Sequence, residues 1–557
     1  MRTRLPIQLV VVAFVVASVL AAAAAGTQPV DVQAHVDAIF KHWSSSTPGC
    51  AVGSDITGQP AVRAAYGMAD LEHDVPITVD TIFEAGSVSK QFTATAVLLL
   101  ARDGKLALDH EVRKYIPELP DPGAPLTIRQ MLQHTSGLRD WGSLAGIAGW
   151  PRGSRVHTHA HVLDILSRQR SLNFPPGTRW SYSNSGYNLA AILVSRVSGT
   201  PFADFTRARI FEPLGMTDTS WRDDHRRIVK RRAVAYGERQ GTFVIDMPFE
   251  NVHGNGGLLT TVGDLLRWNG NFTRPVVGDA DLVADLQRRA TFTDGRSHEY
   301  ALGLYVDTYR GVREVDHSGG TAGYRAHLAR YPDHGVSVAV LCNAGSANAT
   351  SYAKAVAELH LADALRPAGE PRATHELTDA EASRLAGLYR RLPPAGAAAF
   401  AIVRDQGRLR VQNGPALLAV SANRLVRTDD GTRLEFDRRG RIQAIDEFGT
   451  VDVYERVEPA APTPEQLKAF AGRYVSEEIE TTLEVAVDGD RLVLARRPDS
   501  AVALRPFYAD GFASPLGWVS FHRDGSRRVV SLSVSQDRVW DLRFTRQPGS
   551  GTAAAPQ

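Results

Sequence analysis

Ser87 and Lys90 stand three residues apart in "GSVSK", at the start of a helical pattern. At that spacing both side chains share one face of the first turn. A helix N-terminus offers unpaired N–H groups and the positive end of the macrodipole. An ammonium held there loses hydration and feels that dipole, so its pKa falls and a neutral amine base comes within reach. A serine beside such a base is an activated nucleophile. Taken alone the motif is weak. A helix-capping serine followed by an exposed lysine explains it equally well, and a second Ser-x-x-Lys, Ser351–Lys354, reads as ordinary helix surface.

Two further pieces follow in order. In "FPPGTRWSYSNSGYNLAAIL", Tyr182 and Asn184 sit two apart in a turn that leads into an apolar helix. A tyrosine shuttles protons if nearby cations depress its pKa, and an amide orients a carbonyl or an amine. The bland account is a packed tyrosine and a turn-stabilising asparagine. In "EVDHSGGTAGYRAH", a strand pattern reaches His317 and then loses its side chains at Ser318, Gly319 and Gly320. Glycines in a strand mark a close approach by another backbone or by a ligand.

The three pieces together resemble the penicillin-binding proteins and class C-like serine β-lactamases. The likeness covers about residues 35–360, through "GSVSKQFTA", "LTIRQMLQHTSGL", "FPPGTRWSYSNSGYNLAAIL", "IFEPLGMTDT", "GGLLTTVGDLLRWN" and "HSGGTAGYRAHLARYP". It implies an α+β fold: an antiparallel β-sheet flanked by helices plus an all-helical lobe, with the site between them. It implies that Ser87 is acylated, that Lys90 is its base or proton relay, that Tyr182 is the second proton carrier and that Asn184 positions substrate. Substrate would lie along the glycine strand, with the N–H groups of Ser87 and Gly320 as oxyanion hole. The same likeness makes "PGCAVGSD" the first strand and "VSVAVLCNAG" a late strand paired with it. Cys50 and Cys342 are then expected as a disulfide or as neighbouring thiols.

The chain departs from that family at its third motif, where Lys-Thr-Gly becomes His317-Ser318-Gly319. A permanent cation suited to a substrate carboxylate is replaced by a mostly neutral imidazole. That weakens a β-lactamase or D-Ala-D-Ala carboxypeptidase reading. His-x-Gly looks more like the D-aminopeptidase and esterase branches, and activity is expected to follow His317 titration. The expectation is a serine hydrolase acting on D-amino-acid peptides or amides, or on small esters, without metal or cofactor. The rival of another class is a catalytically weak acyl- or peptidoglycan-binding protein of the same fold.

The surrounding elements agree. The helix from Ser87 carries Val88, Phe92, Ala96 and Leu99 at helical spacing and is apolar nearly all round, which predicts burial; Gly104 closes it. The 557 residues exceed one core. A polar linker is expected at 366–376. Residues 377–458 and 463–547 alternate apolar and polar residues around Asp-Gly and Arg-Gly turns, and echo each other. They predict two homologous antiparallel β-barrel-like modules that shape the cleft rim or mediate oligomers, followed by a disordered tail at 548–557.

Residues 1–25 read as a signal peptide cut near Ala25, placing the protein in the periplasm or outside the cell. Left uncut, the apolar run would be a membrane anchor. No cysteine follows it closely, so a lipid anchor is not expected. A net charge of +2 gives no case for nucleic acid. The basic run 222–232 reads as a solvated face. His157, His159 and His161 alternate before a helix without a carboxylate cluster, which disfavours metal. His134 reads as a structural turn, and Trp141 and Tyr324 as candidate pocket walls.

Overall fold

The computed structural model describes residues 31–367, 373–393, 396–498 and 500–549. The expected signal peptide, part of the 366–376 linker and most of the 548–557 tail lie outside them. Among the described residues, no helix is long and apolar enough to cross a membrane.

The centre is a six-stranded antiparallel sheet. Its strands are β1 (Cys50–Ile56), β2 (Gln59–Tyr66), β3 (Tyr305–Tyr309), β4 (Val312–Thr321), β5 (Tyr324–Tyr331) and β6 (Val336–Cys342), in spatial order β3-β4-β5-β6-β1-β2. The period of two sorts β6 between two cores. Val336, Val338, Val340 and Cys342 pack against helices α1 (Val32–Phe40) and α7 (Ala349–Leu361). Ala339 and Leu341 join a cluster with α2 (Lys90–Arg102) and α6 (Val262–Asn271). A strand covered on both faces must be apolar at every position, and "VSVAVLC" nearly is. The helical lobe includes α3 (Trp141–Ile147), α4 (His159–Ser167) and α5 (Asn184–Ser198).

Cys50 on β1 faces Cys342 on β6 directly and the two form a disulfide across the sheet. It closes a loop with a sequence separation of 292. The Cys50→Ala/Cys342→Ala variant is expected to lose roughly 2–5 kcal/mol of stability. A denaturant midpoint equal to that of the wild type would refute this.

The two repeats are closed eight-stranded barrels, with strands spanning residues 387–457 and 472–546. The echo between them is physical. Each is preceded by a short helix with a capping box, from Thr378 and Thr463. Each uses a buried tyrosine to reach the carbonyl four residues back, Tyr389 to Leu385 at 2.9 Å and Tyr474 to Phe470 at 2.7 Å. The first barrel has its own apolar core. The core of the second runs on into that of the sheet and helical lobe.

Candidate active site

Chain packing answers the glycine question differently from the expectation. Residues 86–89 form a single 3-10 turn before α2, and Gly86 takes φ +52°, a value that favours glycine. A Cβ on Gly86 would lie 2.5 Å from the Gly320 nitrogen. A Cβ on Gly319 would lie 2.1 Å from the Ala85 carbonyl oxygen. On its side-chain face the space at Gly319 is therefore taken by another backbone. That contact clamps the Ser87 turn onto β4.

Lys90 lies fully buried at the start of α2. Its Nζ donates to Asn184 Oδ1 at 3.0 Å and to the Asn255 carbonyl at 2.7 Å, and it lies 3.1 Å from Ser87 Oγ. Burial pushes its pKa well below the ordinary lysine range; the Arg538 and Arg152 charges push the same way, and Asp140 opposes them. A neutral amine has two N–H groups and one lone pair. Two acceptors take the N–H groups, so the lone pair is left for the Ser87 hydroxyl.

Tyr182 packs its ring 4.8 Å from Lys90 Nζ and 4.3 Å from the His134 ring. Burial raises its pKa, with hydrogen bonding to Ser87 and the Arg538 charge only opposing it. The depressed tyrosine expected from nearby cations is not found. Tyr182 is a phenol here and can relay a proton only as O–H. His134 is buried behind it and accepts from the Ser183 N–H at 3.2 Å, as a structural turn would.

His317 is fixed as a neutral tautomer. Its Nδ1 faces the Ser318 carbonyl at 2.6 Å, so the proton sits there, and Nε2 accepts from the Tyr300 hydroxyl at 3.1 Å. Burial, above all, brings its pKa down to about 3. The expected titration of His317 near neutrality is corrected by this.

Ser87, Tyr182, Asn184, His317, Ser318, Gly319 and Gly320 all line one cavity of about 620 Å³. Trp141 and Tyr324 do not line it. Trp141 donates to Asn188 Oδ1 at 2.8 Å within the core, and the Tyr324 hydroxyl donates to the Ala233 carbonyl. Arg222, in the run read as solvated, is buried against Glu84 with contacts of 2.8 and 3.2 Å. Glu84 also accepts from the Gly257 N–H at 3.1 Å, next to the loop whose Asn255 carbonyl holds Lys90.

The histidine triplet is dispersed. His159 Nε2 meets the His253 carbonyl at 2.9 Å, and His161 caps Thr158 at the start of α4. Among the described residues two other groups bring ligand atoms within 4.8 Å of one another: Asp70, Glu72 and His73, and Glu314, Asp316 and His327. Neither lines the cavity. At the second, Lys354 already supplies a cation 3.7 Å from Glu314.

Sequence reasoning singled out none of Arg152, Asn255, Tyr305, Asp537, Arg538 and Trp540, which also line the cavity. Asn255 adjoins a quoted motif, and its Gly-Gly sequel was the available signal. Arg152, Asp537 and Arg538 had none. The last two form the two-residue turn between strands β7 (Val529–Gln536) and β8 (Val539–Arg546) of the second barrel, and that turn enters the cavity.

The beta-lactamase family model matches residues 32–363. The chain belongs to the beta-lactamase family. As a member of this family it is a serine hydrolase. Among its relatives, a penicillin-binding protein of Bacillus subtilis is 29% identical over 336 residues, covering 56% of this chain and 71% of that protein. A D-aminopeptidase of Brucella canis is 26% identical over 530 residues, covering 90% of this chain and 96% of that one, so the likeness runs through both barrels. The beta-lactamase-family fold recurs in the solved D-amino acid amidase of Ochrobactrum anthropi SV3. The match has a TM-score of 0.51 at 22% identity and covers 60% of this chain and 99% of that one.

Proposed function

We propose that the protein is an exported hydrolase that opens amide bonds of D-amino-acid amides or short D-peptides through an acyl-enzyme on Ser87. One observation carries the reading: a fully buried lysine, its pKa pushed well down, with Nζ 3.1 Å from Ser87 Oγ. Ser87 Oγ attacks the carbonyl carbon while its proton passes to Lys90 Nζ. The resulting oxyanion is met by the N–H groups of Ser87 and Gly320. Tyr182 gives its phenolic proton to the leaving nitrogen and regains one from Lys90. The C–N bond breaks and the amine leaves. Water then repeats the sequence on the ester, and the acid departs with Ser87 restored. Asn184 holds the Lys90 amine in register, and His317 forms a neutral wall.

The D-configuration rests on the likeness to the Brucella canis D-aminopeptidase, which includes the barrels. Export rests on the basic and apolar N-terminal segment, and the Cys50–Cys342 disulfide suits an oxidising compartment.

The test is intact mass after a fluorophosphonate probe, followed by turnover of D- and L-phenylalanine amide. A single adduct on wild type and none on Ser87→Ala is expected, with D preferred. No adduct on wild type would leave the binding-protein reading standing instead. A His317→Gln variant is expected to keep the acid limb of the pH profile, because an imidazole with a pKa of about 3 stays neutral across the working range. Loss of that limb would return the titration to His317.

A further inference from the structure

The turn that reaches the cavity from the second barrel is held rigidly. The Arg538 carbonyl accepts from the Asp140 N–H at 3.1 Å and from Asn173 Nδ2 at 3.1 Å. The Trp540 N–H donates to Asn173 Oδ1 at 2.8 Å. Buried Arg139 ties Glu478 at 2.8 Å and the Trp540 carbonyl at 2.9 Å, both on the barrel. Asp140 also accepts the Asn184 N–H on its carboxylate at 2.8 Å. One residue therefore fixes both the hairpin and the amide that holds Lys90.

This scaffold delivers one side chain with nothing to pair with. Arg538 is half-buried, and its guanidinium lies 4.7 Å from the centre of the Tyr182 ring. Among the described residues that guanidinium has no hydrogen-bond or ion-pair partner. The other cavity guanidinium, Arg152, is committed to Glu250 at 2.9 and 3.0 Å. The cavity's carboxylate, Asp537, is exposed and does not pair with Arg538. The charge of Arg538 lowers the pKa of Lys90, Tyr182 and Tyr305. The cation nearest the machinery is thus unsatisfied. A planar fork of donors matches a carboxylate, which pairs with it in two parallel hydrogen bonds.

We propose that Arg538 is a carboxylate anchor, so that this hydrolase selects amides or esters carrying a free carboxylate, such as short D-peptides with an unblocked C-terminus, over simple amides. The inference rests on the hydrolase reading above. It restores a cation to the site by a different route: β4 carries His317 where a lysine would stand, and the barrel hairpin supplies an arginine in trans to the sheet.

Two matched pairs test it, one for each side of the scissile bond. The first is D-alanylglycine against D-alanylglycinamide, read as kcat/KM. The second is a fluorophosphonate whose arm ends in a carboxylate against its methyl ester, read as the rate of Ser87 labelling. Wild type is expected to favour the carboxylate member of at least one pair by roughly ten- to hundredfold. Arg538→Ala should bring that ratio to about one, and Arg538→Lys should leave it between, since an ammonium is a point charge rather than a fork. Arg538→Gln, which keeps a polar donor without the charge, guards against a folding defect in the alanine variant. A wild-type ratio near one in both pairs, or a ratio unchanged in Arg538→Ala and Arg538→Gln, would overturn the anchor and leave Arg538 as packing for Tyr182. No labelling by either probe would instead overturn the hydrolase reading itself, and the anchor with it.

Discussion

Ser87→Ala is expected to lower kcat by roughly ten-thousand-fold or more, and Lys90→Met by about a hundred- to ten-thousand-fold, while the double variant falls no further than Ser87→Ala. Two groups that act on one proton form a unit, so the losses do not add. Lys90 reaches its role because α2 buries it completely and gives its N–H groups two acceptors, Asn184 Oδ1 and the Asn255 carbonyl. The sign of the pH dependence follows. In the proposed mechanism the neutral amine is the working form, and burial moves its pKa down from the lysine range. Activity therefore rises with pH through that titration. In Lys90→Met the residual activity should lose this limb. Additive losses in the double variant, or an acid limb that survives in Lys90→Met, would remove Lys90 from the proton path.

Glu84→Ala is expected to cost about 3–5 kcal/mol of stability, because it removes the hydrogen-bonded counter-charge of the buried Arg222 guanidinium and leaves only Glu250, at 3.8 Å. The side chains of Arg222 and Glu84 are 1% and 0% exposed, so solvent cannot compensate. The same variant frees the Gly257 N–H, beside the loop that holds Lys90 through the Asn255 carbonyl. Ser87 labelling in the folded fraction should slow as well. Replacing both partners, as Glu84→Leu/Arg222→Met, removes the unpaired charge and should recover much of the stability without the labelling rate. A melting temperature for Glu84→Ala equal to that of wild type would show that the pair contributes little. Full labelling in the double variant would show that Glu84 does not hold the loop.

Much of this was legible in the residues alone. The i, i+3 spacing of Ser87 and Lys90 places two side chains on one turn whatever surrounds it, because backbone geometry over four residues is local. The same holds for the Asp-Gly and Arg-Gly turns that announce two sets of hairpins. Family likeness then brought Cys50 opposite Cys342. The pKa values were legible only in part. That Lys90 is depressed followed from its place in the helix. The directions at Tyr182 and His317 did not, because desolvation depends on which distant segments cover a group, and there burial outweighed every neighbouring charge.

Other features had no local signature at all. Gly319 announces a close approach in sequence, but only the fold shows that the Ala85 carbonyl fills the space. Arg222 sits in a run whose charge reads as solvated, and it is buried because Glu84 waits for it inside. Arg538 occupies an ordinary two-residue hairpin turn in a repeat without any cluster of reactive side chains. It enters the cavity because Asp140 and Asn173 hold its carbonyl against the helical lobe. Spacing along the chain put Ser87 and Lys90 on one turn, and likeness to the family marked them as the candidate nucleophile and base. Tertiary structure alone decided the directions at Tyr182 and His317 and the cation beside the site, since those depend on contacts between segments that spacing does not connect.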